Sequence, residues 1–189
     1  AEPAVWIVGL APGMHGANRT GRMFTGDRSG DWLFAALHRV GLATQSTSVS
    51  RDDGQHLIAT RITAAVHCAP PDNTPTTVER RECESWLVTE LSIVQPSVRV
   101  ALALGGVAWG AVLGTMRRSG WSAPATKFGH GVSAQAVDPA GREVLVLGSY
   151  HPSQQNTFTG RLTETMLHDV LSRCAAAAGA RPRRRKSGT

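Results

Sequence analysis

The chain has 189 residues, 41% apolar and 18% charged, with 20 Gly, 10 Pro, three cysteines and a net charge of +6. A chain of this length buries roughly 70% of its unfolded surface as one domain, which excludes a disordered polymer, a fibrous repeat and a small disulfide-held fold. The basic excess is a tail: Arg181, Arg183, Arg184, Arg185 and Lys186 supply +5, leaving +1 for the rest. Residues 1–178 are therefore expected to form one domain and 179–189 a basic tail, which either adds sequence-blind affinity for phosphates or is simply solvated. Cys68, Cys83 and Cys174 are too few and odd in number for a secreted framework, so a reducing, cytoplasmic compartment is expected. No apolar run approaches the roughly 20 residues of a spanning helix, and the opening residues lack the basic-then-apolar pattern of a signal peptide. A monomer without a membrane partner is expected.

Val5-Trp6-Ile7-Val8 predicts a buried strand that ends at Gly9 and enters a glycine-rich loop. The loop runs through Pro12, Gly13, Gly16, Gly21 and Gly26 to Ser29, the expected N-cap of a helix carrying Trp32, Leu33, Ala36, Leu37 and Val40 and ending at Gly41. Arg61 to Val66 predicts a second strand. Cys68-Ala69-Pro70-Pro71-Asp72-Asn73 then forbids regular structure until Thr76 and Glu79, at capping-box spacing, open a helix that runs to about Val94. Val98 to Leu104 predicts a third strand, Gly105-Gly106 punctuates it, and a short helix passes through Trp109 and Val112. Asp138-Pro139-Ala140-Gly141 is a turn between two strands, the second spanning Glu143 to Leu147, and a last helix spans Leu162 to Ala178. This alternation predicts a three-layer α/β/α fold with a mostly parallel central sheet, whose ligands bind at the carboxyl ends of the strands. The long loops after the first, second and last strands then share one rim.

The first loop is not a dinucleotide loop. It lacks G-x-G-x-x-G, Pro12 interrupts it, about twenty residues separate strand from helix, and the Walker pattern is absent as well. Phe24-Thr25-Gly26-Asp27-Arg28-Ser29-Gly30 places an aromatic and a carboxylate three residues apart before a helix, where Asp27 could serve simply as a cap. His151-Pro152-Ser153-Gln154-Gln155-Asn156 follows the last strand with a run of uncharged hydrogen-bonding groups suited to phosphates and base edges.

Seven ordered blocks together resemble the uracil-DNA glycosylase superfamily, specifically family 5, the type B enzymes of bacteria and archaea. They are Gly9-Leu10-Ala11-Pro12-Gly13, His15-Gly16-Ala17-Asn18-Arg19-Thr20-Gly21-Arg22, Phe24-Thr25-Gly26-Asp27-x-Ser29-Gly30, Cys68-Ala69-Pro70-Pro71-x-Asn73, Leu104-Gly105-Gly106-x-Ala108-Trp109, Phe128-Gly129-His130-Gly131, and His151 through Asn156 with Thr159-Gly160-Arg161-Leu162-Thr163. The resemblance spans Val5 to about Leu171. It implies a DNA partner containing uracil or other deaminated bases, base flipping, and hydrolysis of the glycosidic bond to leave an abasic site.

The resemblance also implies residue roles. Most of the superfamily carries a water-positioning polar residue in the first loop, where this chain has Leu10 and Ala11. That departure matches family 5, so Asp27 becomes the expected catalytic carboxylate, beside its reading as a helix cap. His151 is expected to donate to the base oxygen and Asn73 to read a base edge, with a turn role after two prolines as the alternative for Asn73. Phe24 is expected to stack on the flipped base, or else to be core. Ser153, Gln154, Gln155, Asn156, Gly160 and Arg161 are expected along the DNA strand; His15, Asn18 and Arg19 contact sugar or phosphate, or only shape their loop. Family 5 also carries a [4Fe-4S] cluster on four cysteines; Cys68 and Cys83 match the second pair in context and spacing, and the first pair is expected upstream in an intact protein. Cys174 is expected to be a small buried residue. The competing expectation is a damaged-DNA binder that keeps the pocket without turnover.

Overall fold

In the computed structural model, residues 2–71 and 74–180 are described. Asn73 and the basic residues from Arg181 onward lie outside them. The described chain runs β1 (Val5–Gly9), α1 (Ala17–Thr20), α2 (Arg28–Arg39), β2 (Thr60–Ala64), α3 (Thr77–Glu82), α4 (Glu84–Val94), β3 (Val100–Leu104), α5 (Gly106–Arg118), β4 (Ser133–Val137), β5 (Glu143–Ser149), α6 (Gln154–Phe158) and α7 (Glu164–Ala177). The strands form one sheet in the order β2-β1-β3-β5-β4, parallel except for β4, which is antiparallel to β5. This is the expected α/β/α arrangement.

Successive side chains of a strand point to opposite faces. Val5 and Ile7 therefore pack with Leu33, Phe34 and Leu37 of α2 and Leu167 and Leu171 of α7, while Trp6 and Val8 pack with Leu87 and Leu91 of α4 and Trp109 and Val112 of α5. A strand covered on both faces reads as an unbroken apolar run, which is why Val5-Trp6-Ile7-Val8 shows no alternation. Each such Leu, fully buried, contributes about 1.5–3 kcal/mol. Cys174 sits in the α7 core, its thiol pushed by burial up to about 12. Among the described residues no helix is long and apolar enough to cross a membrane.

Several boundaries differ from expectation, each for a local reason. The second strand ends at Ala64, and Ala65 and Val66 continue as an arm whose N–H groups donate to the carbonyls of Gly9 and Leu10. The third strand starts at Val100, because Ser97 and Val98 still donate to Val94 at the end of α4. The helix from the Thr76/Glu79 capping box, which forms as expected, breaks at Cys83 into α3 and α4. The helix after Gly105-Gly106 is not short but spans 13 residues. Residues 154–158 form α6, with Ser153 as its N-cap.

The chain leaves β1 for β2 on one side and returns to β3 on the other. Open parallel sheets bind ligands in the crevice above such a reversal. The loops after β1, β2 and β5 meet there.

Candidate active site

A cavity of about 240 Å³ opens above the carboxyl end of β1. Its walls come from Leu10, Ala11, Pro12, Gly13 and Ala17 of the first loop, Met23, Phe24, Asp27 and Ser29 before and within α2, Pro70 after β2, and His151 after β5. A larger concavity of about 430 Å³ between α3 and α5, lined by Arg80, Arg81 and Arg118, holds none of these groups.

Asp27, not Ser29, is the N-cap of α2; its backbone is extended and its Oδ1 accepts from the Gly30 N–H at 2.9 Å. Asp27 thus fills its cap role and lines the cavity at once. Its Oδ2 takes no hydrogen bond from a described residue and faces the first loop, with a Cβ built at Gly13 lying 3.6 Å away and one at Gly16 colliding with it. Gly16→Ala is therefore expected to displace the carboxylate and lower any activity that depends on it, while the buried core is untouched. A variant as active as wild type in the same rate assay would separate Asp27 from the chemistry.

Phe24 is 5% exposed and has φ of +55°, a left-handed backbone unusual for a residue with a Cβ. Its ring edge lies against Gly9, where an added Cβ would stand 3.1 Å from Phe24 Cε2. The ring centroid is 5.7 Å from that of His151, tilted by 34°. Phe24 is thus a buried residue that also lines the cavity.

Neither ring nitrogen of His151 has a protein partner among the described residues. Burial pushes its pKa down to about 4, so the imidazole is neutral at neutral pH. Since the unfolded chain titrates near 6.5, the unfolded state takes up a proton that the folded state refuses as pH falls from about 6.5 to about 4. Stability is expected to fall over that window on this account, and His151→Leu to flatten that part of a denaturation-versus-pH series. An unchanged series would show that His151 titrates normally in the fold.

The neighbouring backbone is tied down. Asn156, expected along DNA, donates from Nδ2 to the His151 carbonyl at 2.9 Å, so its amide holds the histidine segment. The Tyr150 N–H donates to His130 Nδ1 at 3.3 Å, which gives the Phe128–Gly131 block a supporting place, and Arg161 stacks over the Tyr150 ring at 4.6 Å. Ser153 caps α6, leaving the exposed side chains of Gln154 and Gln155 free at the rim beside Gly160, a left-handed turn residue. On the opposite rim, Arg19 donates to the His15 carbonyl and Asn18 to Met14 Sδ, while the His15 ring stands exposed. Two rim features escaped the pattern reading: Phe158, 66% exposed, and Arg28, whose guanidinium lies 4.8 Å over its ring. Met23, Ser29 and Pro70 also line the cavity; Ser29 and Pro70 belong to the motif blocks without an assigned role, and Met23 has only its adjacency to motif residues as a signal.

A four-iron cluster takes four thiolates. Cys68 is exposed on the loop that turns into the cavity at Pro70, and Cys83 is half-buried at the α3/α4 break. Among the described residues no three His, Cys, Asp or Glu side chains gather as a metal site. Cys68 and Cys83 could supply two of those four thiolates.

A carboxylate and a neutral imidazole thus line one small cavity at the switch point of a parallel sheet. The family model of the uracil DNA glycosylase superfamily matches residues 1–174. The chain is 53% identical over 178 residues to the type-5 uracil-DNA glycosylase of Mycobacterium bovis, covering 94% of this chain and 64% of that protein. It is 51% identical over 175 residues to the type-5 enzyme of Pyrobaculum aerophilum, covering 93% and 72%, and 46% identical over 178 residues to that of Thermus thermophilus, covering 94% and 77%. The chain therefore belongs to the uracil DNA glycosylase superfamily, in its type-5 family. The chain spans 64% of the length of the Mycobacterium bovis relative.

Proposed function

We propose that the chain hydrolyses the N-glycosidic bond of uracil, and of other deaminated bases, in DNA, and leaves an abasic site. The observation that carries the proposal is the facing of Asp27 Oδ2 and the open His151 ring into one cavity past the Phe24 ring. Its volume of about 240 Å³ lies below the roughly 300–1,000 Å³ of sites for drug-sized ligands, as fits a single base.

A base stacked in duplex DNA is out of reach, so the nucleotide is flipped into the cavity, at a cost of a few kcal/mol that is least for a mispair. The Phe24 face stacks on it. When the C1′–N1 bond breaks, its electron pair leaves with the base and negative charge gathers on the base oxygen, where neutral His151 donates a hydrogen bond. The sugar becomes positive. Asp27 Oδ2 stabilises it and accepts the proton of the water that attacks C1′, while the departing base takes a proton from solvent. Leu10 and Ala11 offer no polar group for that water, so its activation falls to Asp27. Because His151 stays neutral down to about pH 4, the single-turnover rate is expected to show no inflection near pH 6.5 that His151→Asn removes. Such an inflection would contradict a neutral donor.

Gln154, Gln155, His15 and Arg161 are the rim groups for the DNA strand, and Asn73 remains the proposed reader of a base edge. Cys68 and Cys83 remain proposed as two of the four cluster ligands, checked by iron and sulfide content of anaerobically purified protein with and without Cys68→Ser.

The test is a labelled duplex with one U·G mismatch beside an unmodified duplex. Alkali-dependent breaks confined to the uracil position support the proposal. Selective binding without breaks would replace it with a damaged-DNA reader.

A further inference from the structure

We infer that Asp53, acting through Arg22 and Ser48, is a positioning residue that holds Phe24 in its left-handed conformation against the base pocket. This rests on the proposed reaction only for what Phe24 is positioned to do; the bracing itself is geometric.

A left-handed backbone is strained for a residue with a Cβ, which persists there only where its surroundings over-determine it. Two contacts do so at Phe24. On the helix side its carbonyl is packed onto Gly30, where any Cβ would collide with it. On the other side the chain is tied to Ser48: the fully buried Thr25 places Oγ1 2.6 Å from Ser48 Oγ, and the Gly26 N–H donates to the Ser48 carbonyl at 3.1 Å. Thr25 Oγ1 also donates to the Met23 carbonyl at 3.3 Å, so Ser48 is the donor in the short hydroxyl pair.

Ser48 is held in turn by Arg22 and Asp53. Arg22 Nη1 donates to Ser48 Oγ at 2.8 Å and to Asp53 Oδ1 at 2.9 Å, and Nη2 donates to the Arg51 carbonyl. The Asp53 carboxylate also accepts the N–H groups of Val49 at 2.7 Å, Ser50 at 3.2 Å and Gln55 at 2.9 Å, folding residues 48–55 around itself. Burial alone would raise its pKa, but those N–H groups and Arg22 outweigh it and hold the carboxyl well below the usual range. The brace thus stays charged at any working pH. Neither Arg22 nor Asp53 lines the cavity.

The test combines Asp53→Asn and the milder Ser48→Ala with Phe24→Ala, using single-turnover uracil release and binding to an abasic-site duplex, which has no base for Phe24 to meet. Each brace variant is expected to lose about 10- to 100-fold in rate, as for a displacement of about 1 Å, with abasic-site binding retained. In the Phe24→Ala background the same substitutions are expected to cost little more, because the group they position is gone; damage of a merely structural kind would multiply in full. Asp52→Asn, a change at an exposed neighbour, is the control. Full multiplication, or wild-type rates in both brace variants, overturns the inference. Should the wild type release no base, the proposed function fails, and amide exchange of residues 23–27 decides the brace: faster exchange confined to that segment and to 48–55 in Ser48→Ala supports it, and unchanged exchange overturns it.

Discussion

Asp27→Asn is expected to lower single-turnover base release by about 10²- to 10⁴-fold, the range for loss of a positioned general base, while leaving the melting temperature close to wild type. The two readouts separate because the two oxygens do different work. Oδ1 caps α2 through the Gly30 N–H, and asparagine caps a helix about as well as aspartate. Oδ2 faces the cavity without a partner among the described residues, and it is the oxygen that the amide nitrogen replaces. Asp27→Ala removes both and should add about 1 kcal/mol of destabilisation to the same loss of rate. An Asp27→Asn protein that keeps its rate would reduce Asp27 to a cap and leave water activation without a residue.

His151→Ala is expected to cost about 10²- to 10³-fold in rate, as for removal of one donor to a developing oxyanion. Binding of the abasic product duplex should be little changed, since the histidine is proposed to act on the base alone. The loss should also be nearly independent of pH from about 5 to 8, a window in which the buried imidazole stays neutral and a freely exposed histidine would change charge. A loss below about threefold would assign the negative charge on the base to another donor.

The elements with strong local chemistry are the ones that pattern alone locates. Val5 to Val8 is apolar at every position because both faces of β1 are covered, Thr76 and Glu79 satisfy each other across one turn, and Asp138 to Gly141 make a turn whose carboxylate takes the N–H groups of Ala140 and Arg142. What pattern misses depends on distant partners. Asp27 and Ser29 are both plausible caps two residues apart, and the choice follows from Gly30 packing under the Phe24 carbonyl. The helical pattern runs through Cys83 without a breaker, and the five residues of α6 are too few to show a period. In the candidate site, Asp27, Phe24 and His151 were identifiable through a resemblance spread over seven blocks, and the fold brings them to one cavity. The bond from Asn156 to the His151 carbonyl has no signal in the sequence, because it exists only once α6 has formed. The Arg22–Ser48–Asp53 brace joins residues 26 and 31 positions apart with no periodic signal.

The measurement that bears most directly on the central claim is a single-turnover reaction with a U·G duplex, in which free uracil is quantified by mass spectrometry alongside alkali-dependent strand breaks. One uracil released for each alkali-labile site by the wild-type chain, with both products lost together in Asp27→Asn, is the predicted result. Uracil left in the strand, breaks that form without alkali, or equal yields from Asp27→Asn would contradict hydrolysis of the glycosidic bond by this site.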